Sequence, residues 1–105
     1  MNYKADKLLK TLDRSNGPIV VDVRSKREYN QAHIPGAIHI PFWLIPFRVK
    51  SLMEYRDQEV IVYCENGPRA VLARQSLQSK GFDKTESLEG HMQGWRKAGF
   101  PLNHK

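Results

Sequence analysis

The sequence predicts a single α/β domain in which a parallel sheet is covered by helices on both faces. Strand-like and helix-like segments alternate along the 105 residues, as in consecutive β-α-β units. Residues 19–23 form an almost continuous apolar run, which is expected of a strand buried on both faces. The length allows a core that needs no disulfide or metal, so residues 1–105 are expected to form one domain.

The first elements follow from apolar spacing and turn residues. One helix face near the N-terminus is indicated by the spacing of Ala5, Leu8, Leu9 and Leu12. Residues 16–18, Asn-Gly-Pro, break this helix before the first strand. Ser25 and Glu28 form a Ser-x-x-Glu capping box, which predicts a short helix over residues 26–31. Residues 37–40 are then predicted to form a short strand.

The middle of the chain contains the segment that matters most for chemistry. Residues 41–46 are apolar and interrupted by prolines, and a helix is predicted over residues 47–55. Phe42, Trp43 and Leu44 fit either the core or the rim of a site, because they follow a strand end. After a charged turn at residues 56–59, residues 60–63 form a second buried strand that leads directly to Cys64.

The last third of the chain repeats the helix and strand alternation. The buried face of a helix after Cys64 is marked by Ala70, Ala73 and Leu77. Gly81 fits the end of this helix. A short strand over residues 85–88 and a final helix over residues 91–98 follow, and Gly99 ends that helix. Trp95 on the final helix is predicted to be a core residue.

Composition restricts the function classes. Lysine and arginine number 17 against 11 acidic residues, which gives a net charge of +6. This balance suits an anionic small molecule, an acidic partner or nucleic acid. The basic residues are scattered and no RNA-binding or zinc-finger motif occurs, so no nucleic-acid partner is expected. With no apolar leader, no spanning segment and one cysteine, we expect a cytoplasmic monomer without membrane contacts.

Cys64 is the most informative residue because it follows a predicted strand and precedes a predicted helix. Sites in parallel sheets form beyond the carboxyl ends of the strands. Backbone N–H groups in such a turn, together with a helix N-terminus, favour a thiolate, which is the reactive form of cysteine. A buried structural cysteine is the alternative that this position alone leaves open.

Several motifs occur together in a specific order. They are Asp22-Val23-Arg24 with Glu28, His33-Ile34-Pro35-Gly36-Ala37, Cys64-x-x-Gly67-x-Arg69, Leu88-Glu89-Gly90 with Trp95, and Gly99-Phe100-Pro101. Over nearly its whole length the chain therefore resembles the rhodanese-like sulfurtransferase family, in the size of a stand-alone single-domain member. The resemblance implies an α/β fold with about five mainly parallel strands. It also implies that Cys64 carries a sulfane sulfur as a persulfide.

The residues fit this chemistry. A Cys64 thiolate can attack the outer sulfur of a small anionic donor such as thiosulfate, or of a protein persulfide. A thiol or cyanide would then accept the sulfur, and neither step requires a metal or an organic cofactor. The predicted substrate-binding loop consists of Glu65, Asn66, Gly67, Pro68, Arg69 and Ala70. All of these residues except the proline are expected to contribute backbone N–H groups to a ring around the sulfur.

Individual positions in this loop have separate roles. Gly67 permits a tight turn, whereas Pro68 offers no N–H group but fits the first position of a helix. Arg69 either binds the anionic substrate or only forms a salt bridge nearby. Two positions depart from the family pattern, since His91 stands where many members have glycine and Glu65 stands where many have a neutral or basic residue. A Glu65 carboxylate facing the pocket would oppose thiolate formation, and one facing solvent would matter little.

Two other function classes compete with an active sulfurtransferase. One is a non-enzymatic module of the same fold that binds a partner or carries sulfur within a complex. The other is a cysteine-dependent phosphatase or arsenate reductase. Phosphatases of this kind place arginine six positions after the cysteine, but here Arg69 is five positions on and position 70 is alanine. A cysteine–histidine hydrolase lacks a recognisable partner pattern.

The remaining polar residues are predicted to be structural. Asp22 and Arg24 are expected to form an ion pair, and Glu28 is expected to cap its helix and could pair with Arg24. His33 is expected to form structural hydrogen bonds within its turn. The other histidines show no metal-ligand spacing with Cys64, and they are His39, His91 and His104.

Overall fold

The computed structural model describes residues 2–104. These residues form a five-stranded sheet in which every pairing is parallel, so the predicted α/β fold is confirmed. The strand order is β1-β5-β4-β2-β3. The strands are β1 (Asn2–Tyr3), β2 (Ile19–Asp22), β3 (Ile38–His39), β4 (Val60–Tyr63) and β5 (Thr85–Leu88). The strand that leads to Cys64, β4, therefore lies in the middle of the sheet.

Five α-helices and two 3₁₀ segments lie between the strands and after β5. The α-helices are α1 (Ala5–Leu9), α2 (Lys26–Gln31), α3 (Ile45–Arg48), α4 (Pro68–Ser79) and α5 (His91–Lys97), and the 3₁₀ segments are Phe42–Leu44 and Val49–Tyr55. The predicted capping box is confirmed, because the Ser25 hydroxyl accepts from the Glu28 N–H and the Glu28 carboxylate accepts from the Ser25 N–H. Within residues 2–104 no helix has the length and apolar character needed to cross a membrane.

The core has one apolar cluster on each face of the sheet. Along β4 the side chains alternate, so that Val62 and Cys64 join one cluster whereas Ile61 and Tyr63 join the other. This alternation follows from the two-residue period of a strand. Both faces are therefore covered, as the apolar strands predicted. Trp95 is fully buried in the cluster that contains Tyr63, as expected.

Two N-terminal features differ from the sequence prediction. Strand β1 was not predicted from local pattern, since it is only two residues long and is held in place by pairing with Ser87 and Leu88 of β5. Helix α1 ends at Leu9 instead of continuing to Leu12. The backbone turns more tightly after Leu9, because the Thr11 N–H and hydroxyl both donate to the carbonyl of Leu8.

The helix predicted over residues 47–55 is also different. The α-helical turn lies earlier, at Ile45–Arg48, and residues Val49–Tyr55 form a 3₁₀ helix. Leu52 is buried, and Val49 and Tyr55 pack against the same cluster. A three-residue spacing matches the period of a 3₁₀ helix, so this tighter helix places all three side chains on the core.

Candidate active site

Cys64 lies directly after β4, at the carboxyl end of the sheet, where the sequence placed it. The residue is fully buried and belongs to the apolar cluster beneath α4. The loop from Cys64 to Gly67 is followed at once by α4, which begins at Pro68. The thiol is therefore held between a central strand and the N-terminus of a twelve-residue helix.

Backbone N–H groups of the loop converge on the sulfur. The Gly67 N–H donates to Cys64 Sγ at 2.9 Å, and the N–H groups of Asn66 and Ala70 also interact with it. Gly67 has a φ of 130°, which side chains with a Cβ rarely adopt. Glycine is thus required for the turn that aims this donor at the sulfur.

The environment of Cys64 favours its thiolate form. Burial of the thiol raises its pKa, but hydrogen bonds from the His91 side chain and from the N–H groups of Ala70, Gly67 and Asn66 outweigh burial. The net result is a pKa of about 7, below the ordinary cysteine value of 9.0. Near neutral pH, Cys64 is therefore a nucleophilic thiolate in a large fraction of the molecules.

His91 lies beside Cys64, which sequence reasoning did not predict. The Cys64 N–H donates to His91 Nδ1 at 3.3 Å. Helix α5 begins at His91, and its first turn is also hydrogen-bonded to the loop. The Met92 N–H donates to the Cys64 carbonyl, and the Gln93 N–H donates to the Glu65 carbonyl, both at 3.0 Å. The signal in the sequence was the departure from glycine at position 91, but no local spacing connects residues 27 positions apart.

The Glu65 carboxylate is hydrogen-bonded to two arginine side chains. It accepts hydrogen bonds from Arg96 at 2.8 Å and from Arg24 at 3.4 Å. Hydrogen bonding to Arg96 is the main cause of a lowered Glu65 pKa, and the charge of Arg24 contributes. The carboxylate charge is thus balanced by two arginines, which the sequence did not indicate.

Arg69 lies in the first turn of α4 and is held by Glu28 of α2. Its two terminal nitrogens donate to the two Glu28 oxygens at 2.6 and 2.9 Å. Hydrogen bonding to Arg69 is the main reason that the pKa of Glu28 is about 2. The sequence allowed Glu28 to pair with Arg24, but the structure pairs it with Arg69. The Arg69 guanidinium also interacts electrostatically with Cys64.

Asp22 and Arg24 form the expected structural ion pair, in a fully buried position. The Arg24 side chain is 2% exposed and donates to Asp22 Oδ2 at 2.8 Å. It also donates to the carbonyl of Ala32 at 2.6 Å, while its other terminal nitrogen reaches Glu65. Arg24 thereby connects the end of β2 to the segment after α2 and to the Cys64 loop.

The other predicted residues lie around this site. The His33 ring bonds the carbonyl of Tyr29 at 2.8 Å, in agreement with a structural role. Phe42 and Leu44 pack against the core, whereas the Trp43 residue is 52% exposed. In the part of the chain that the structure describes, no group of three or more histidine, cysteine, aspartate or glutamate residues could hold a metal ion.

The chain is similar in sequence to known proteins of one family. The family model described as "Rhodanese-like domain" matches residues 4–98. A sulfurtransferase of Allochromatium vinosum is 30% identical over 98 residues, which cover 93% of this chain and 90% of that protein. The putative sulfur carrier protein YrkF of Bacillus subtilis is 34% identical over 76 residues, which cover 72% of this chain but 40% of YrkF.

A solved structure has the same fold. The thiosulfate sulfurtransferase of Pseudomonas aeruginosa superposes with a TM-score of 0.88 and 25% sequence identity. The superposition covers 98% of this chain and 20% of that larger chain. The fold thus occurs both in proteins of about this size and as one part of longer ones.

Proposed function

The chain belongs to the rhodanese-like domain family, and we propose that it is a sulfurtransferase that carries a sulfane sulfur on Cys64. The single observation that carries this proposal is the contact between the Gly67 N–H and Cys64 Sγ at 2.9 Å. It occurs in a loop where further backbone N–H groups also approach the sulfur. Such a set of donors suits an anionic sulfur, whether it is a thiolate or the outer atom of a persulfide.

In the first half-reaction the Cys64 thiolate attacks the outer sulfur of the donor. With thiosulfate, a new S–S bond forms to Cys64 Sγ, the bond between the two donor sulfurs breaks, and sulfite leaves with the electron pair. Cys64 becomes a persulfide with a negative terminal sulfur. The N–H groups of the loop are placed to stabilise that charge, and Arg69 supplies a positive charge at the start of α4.

In the second half-reaction a nucleophile takes the outer sulfur. Cyanide or a thiolate forms a bond to that sulfur, the S–S bond to Cys64 breaks, and the electron pair returns to Cys64 Sγ as a thiolate. The same hydrogen bonds that lower the pKa of Cys64 make it a good leaving group. The cycle needs no redox cofactor and no metal, because each step exchanges one sulfur bond for another.

Mass spectrometry tests the proposal directly. Incubation with thiosulfate or glutathione persulfide is expected to add the mass of one sulfur atom, and cyanide is expected to remove it as thiocyanate. The variant Cys64→Ser should form no adduct while retaining its melting temperature. An adduct that persists in Cys64→Ser, or the lack of any adduct with both donors in the native chain, would exclude Cys64 as the sulfur carrier.

The donor and acceptor classes belong to the same proposal. Thiosulfate and persulfides are the donors, and cyanide or thiols are the acceptors, acting on a monomer in the cytoplasm. The name of YrkF favours a second possibility, a sulfur carrier that passes its persulfide only to a partner protein. The two are distinguished by turnover, since an enzyme forms many equivalents of thiocyanate per Cys64 and a carrier confined to a complex forms one.

A phosphatase function is not favoured. The loop from Cys64 to Arg69 is one residue shorter than the loop that wraps a phosphate, and the Arg69 guanidinium is held by Glu28. With an aryl phosphate as substrate we expect no release that depends on Cys64. Robust turnover that is lost in Cys64→Ser would instead favour phosphate chemistry.

A further inference from the structure

We propose that an apolar and basic surface beside the Cys64 loop docks an acidic protein whose cysteine accepts the sulfur from Cys64. The inference rests on the proposed sulfurtransferase function and deepens it, because it assigns the class of acceptor. Four exposed apolar side chains and two basic side chains form this docking surface, and they are Trp43, Phe47, Val71, Leu72, Arg48 and Lys50.

The exposed apolar side chains of the molecule are concentrated in this region. Among residues 2–104, the exposed large hydrophobic residues lie on the helical stretch over residues 42–55 and on α4, and they are Trp43, Phe47, Met53, Val71 and Leu72. Phe47 is 82% exposed, and Leu72 is 52% exposed. Because monomeric proteins seldom expose several large apolar side chains in one area, such a surface indicates a binding partner.

The two parts of the docking surface lie side by side, next to the Cys64 loop. Residues 42–44 and α3 both contact α4, on the face of the sheet whose apolar cluster contains Cys64. The Val71 N–H donates to the Gly67 carbonyl at 3.2 Å. Val71 therefore lies about one helical turn beyond Gly67, whose own N–H donates to the sulfur. A protein that covers this surface thus also reaches the edge of the Cys64 loop.

The charges in both parts of the docking surface are positive. Residues 41–53 and 66–82 contain no aspartate or glutamate, although the chain has 11 acidic residues. Arg48 and Lys50 form no salt bridge with a carboxylate of residues 2–104. Opposite charge across an interface steers association and disfavours wrong partners, so an acidic partner surface is the complementary one.

Other occupants match this surface less well. In a two-fold dimer the same surface of both copies meets, so Arg48 and Lys50 of one copy would face basic residues of the other. An anionic bilayer matches the charge but brings no sulfur acceptor to Cys64. An acidic protein with a surface cysteine supplies both the complementary charge and the reacting thiol.

The docked cysteine takes the sulfur in one exchange step. The partner thiolate forms a bond to the outer sulfur of the Cys64 persulfide, and the S–S bond to Cys64 breaks. The electron pair returns to Cys64 Sγ as a thiolate, and the partner leaves as a persulfide. No oxidant or reductant is consumed, because one S–S bond replaces another.

Three synthetic peptides of equal length serve as probes. Each has a central cysteine next to leucine and phenylalanine, and its remaining positions are aspartate, asparagine or lysine. Copies with serine in place of cysteine measure binding without chemistry, by fluorescence anisotropy of a label on the peptide. The aspartate peptide is expected to bind about tenfold more tightly than the lysine peptide, and this difference should shrink as salt is added.

The variants Phe47→Ser and Lys50→Glu test the docking surface, and Lys97→Glu is the matched control. Lys97 is exposed and lies on α5, whose buried residues belong to the cluster on the other face of the sheet. The three side chains are exposed, so melting temperatures should change little. Phe47→Ser and Lys50→Glu should each weaken binding of the aspartate peptide about tenfold, as expected of important interface residues, and Lys97→Glu should not.

Sulfur transfer provides a second readout with the same variants. With the cysteine form of the aspartate peptide, the transfer rate from preformed Cys64 persulfide is expected to fall about tenfold in Phe47→Ser and in Lys50→Glu. Transfer to cyanide should stay the same in all three variants, because cyanide is too small to contact the docking surface.

Equal binding of the aspartate and lysine peptides, or equal binding by the native chain, Phe47→Ser and Lys50→Glu, would overturn the proposal. A native dimer that Phe47→Ser converts to a monomer in analytical ultracentrifugation would instead identify a self-association interface. Binding to phosphatidylglycerol vesicles that is lost in Phe47→Ser would identify a membrane contact, and either result would overturn the protein partner. The serine peptides report on docking alone, so docking without any sulfur transfer would contradict the proposed function and not the docking surface.

Discussion

Arg69 and Glu28, 41 positions apart in the sequence, are joined by two hydrogen bonds at 2.6 and 2.9 Å. The pair connects the first turn of α4, next to Cys64, to the capping box at the start of α2. Glu28 thus serves two purposes, because it caps its own helix and limits the positive charge that Arg69 presents to the sulfur site.

Opposite kinetic effects are expected from the two members of this pair. Arg69→Ala should raise KM for thiosulfate, because a positive charge near the anionic donor is lost. Glu28→Gln should lower KM, because the arginine charge is no longer balanced while glutamine preserves the capping box. Steady-state kinetics at low salt, where charge effects are largest, provide the measurement. Equal changes in both variants would indicate a purely structural pair.

Glu28 should make the protein less stable in acid. Its folded pKa of about 2 lies below the ordinary value of 4.5, so its contribution is fully present above pH 4.5 and is lost as the pH falls toward 2. Linkage limits this contribution to about 3 kcal/mol, and the partial exposure of the pair makes it smaller. Urea unfolding between pH 7 and pH 3 measures it. Glu28→Gln should flatten the pH dependence in that range, and an unchanged slope would contradict the assignment.

The rate of persulfide formation should follow ionisation of Cys64. Since the pKa of the thiol is about 7, the single-turnover rate with glutathione persulfide is expected to rise through neutral pH and level off above about pH 8. Donor ionisation must be controlled by repeating the measurement with thiosulfate, whose charge is constant in this range. A midpoint near 9 with both donors would mean that the loop does not stabilise the thiolate.

Glu65 is not expected to choose between donors. Both carboxylate oxygens are engaged by arginines, so Glu65→Gln should change kcat/KM for thiosulfate and glutathione persulfide alike, by less than about threefold. Arg96→Ala is the matched comparison, because it leaves the Glu65 charge in place with one partner fewer and should impair the thiosulfate reaction. A gain in Glu65→Gln that is confined to thiosulfate would show that the carboxylate repels the donor.

The buried ion pair between Asp22 and Arg24 should dominate stability near the site. Asp22→Asn leaves the Arg24 charge in a position that is 2% exposed, and this is expected to lower the free energy of unfolding by about 3–5 kcal/mol. Urea denaturation at pH 7 measures the loss. The surface pair of Lys4 and Glu89, 4.0 Å apart, is the control, and Glu89→Gln should change stability little. Similar losses in both variants would contradict the special role of burial.

Much of the fold was predictable because its signals are local. The capping box of Ser25 and Glu28 predicted the start of α2, and the apolar run before Cys64 predicted the buried strand β4. The proline at position 68 and the glycine at position 67 located the turn into α4. These signals depend on residues a few positions apart, so they can be read without knowledge of the tertiary structure.

The partners of charged side chains could not be read in the same way. The sequence left Arg69 free to bind substrate and Glu65 free to face the pocket or the solvent. Packing of α2, α4 and α5 around the end of β4 gave both residues partners that the sequence did not indicate, because it brought Glu28 to Arg69 and Arg96 to Glu65. Such contacts depend on distances between elements, which no spacing along the chain encodes.

By itself, the sequence determined the alternation of strands and helices, the position of Cys64 at a strand end, and the turn that follows it. Only the tertiary structure decided that Asn2–Tyr3 forms a strand, since its backbone gains hydrogen-bond partners from β5 alone. Only the tertiary structure brought the His91 ring within hydrogen-bond distance of the Cys64 N–H. Short-range preferences of the residues specify local backbone geometry. The pairing of β1 with β5 and the contact of α5 with the Cys64 loop instead join residues that are distant in the chain, and these residues meet only when the sheet has formed.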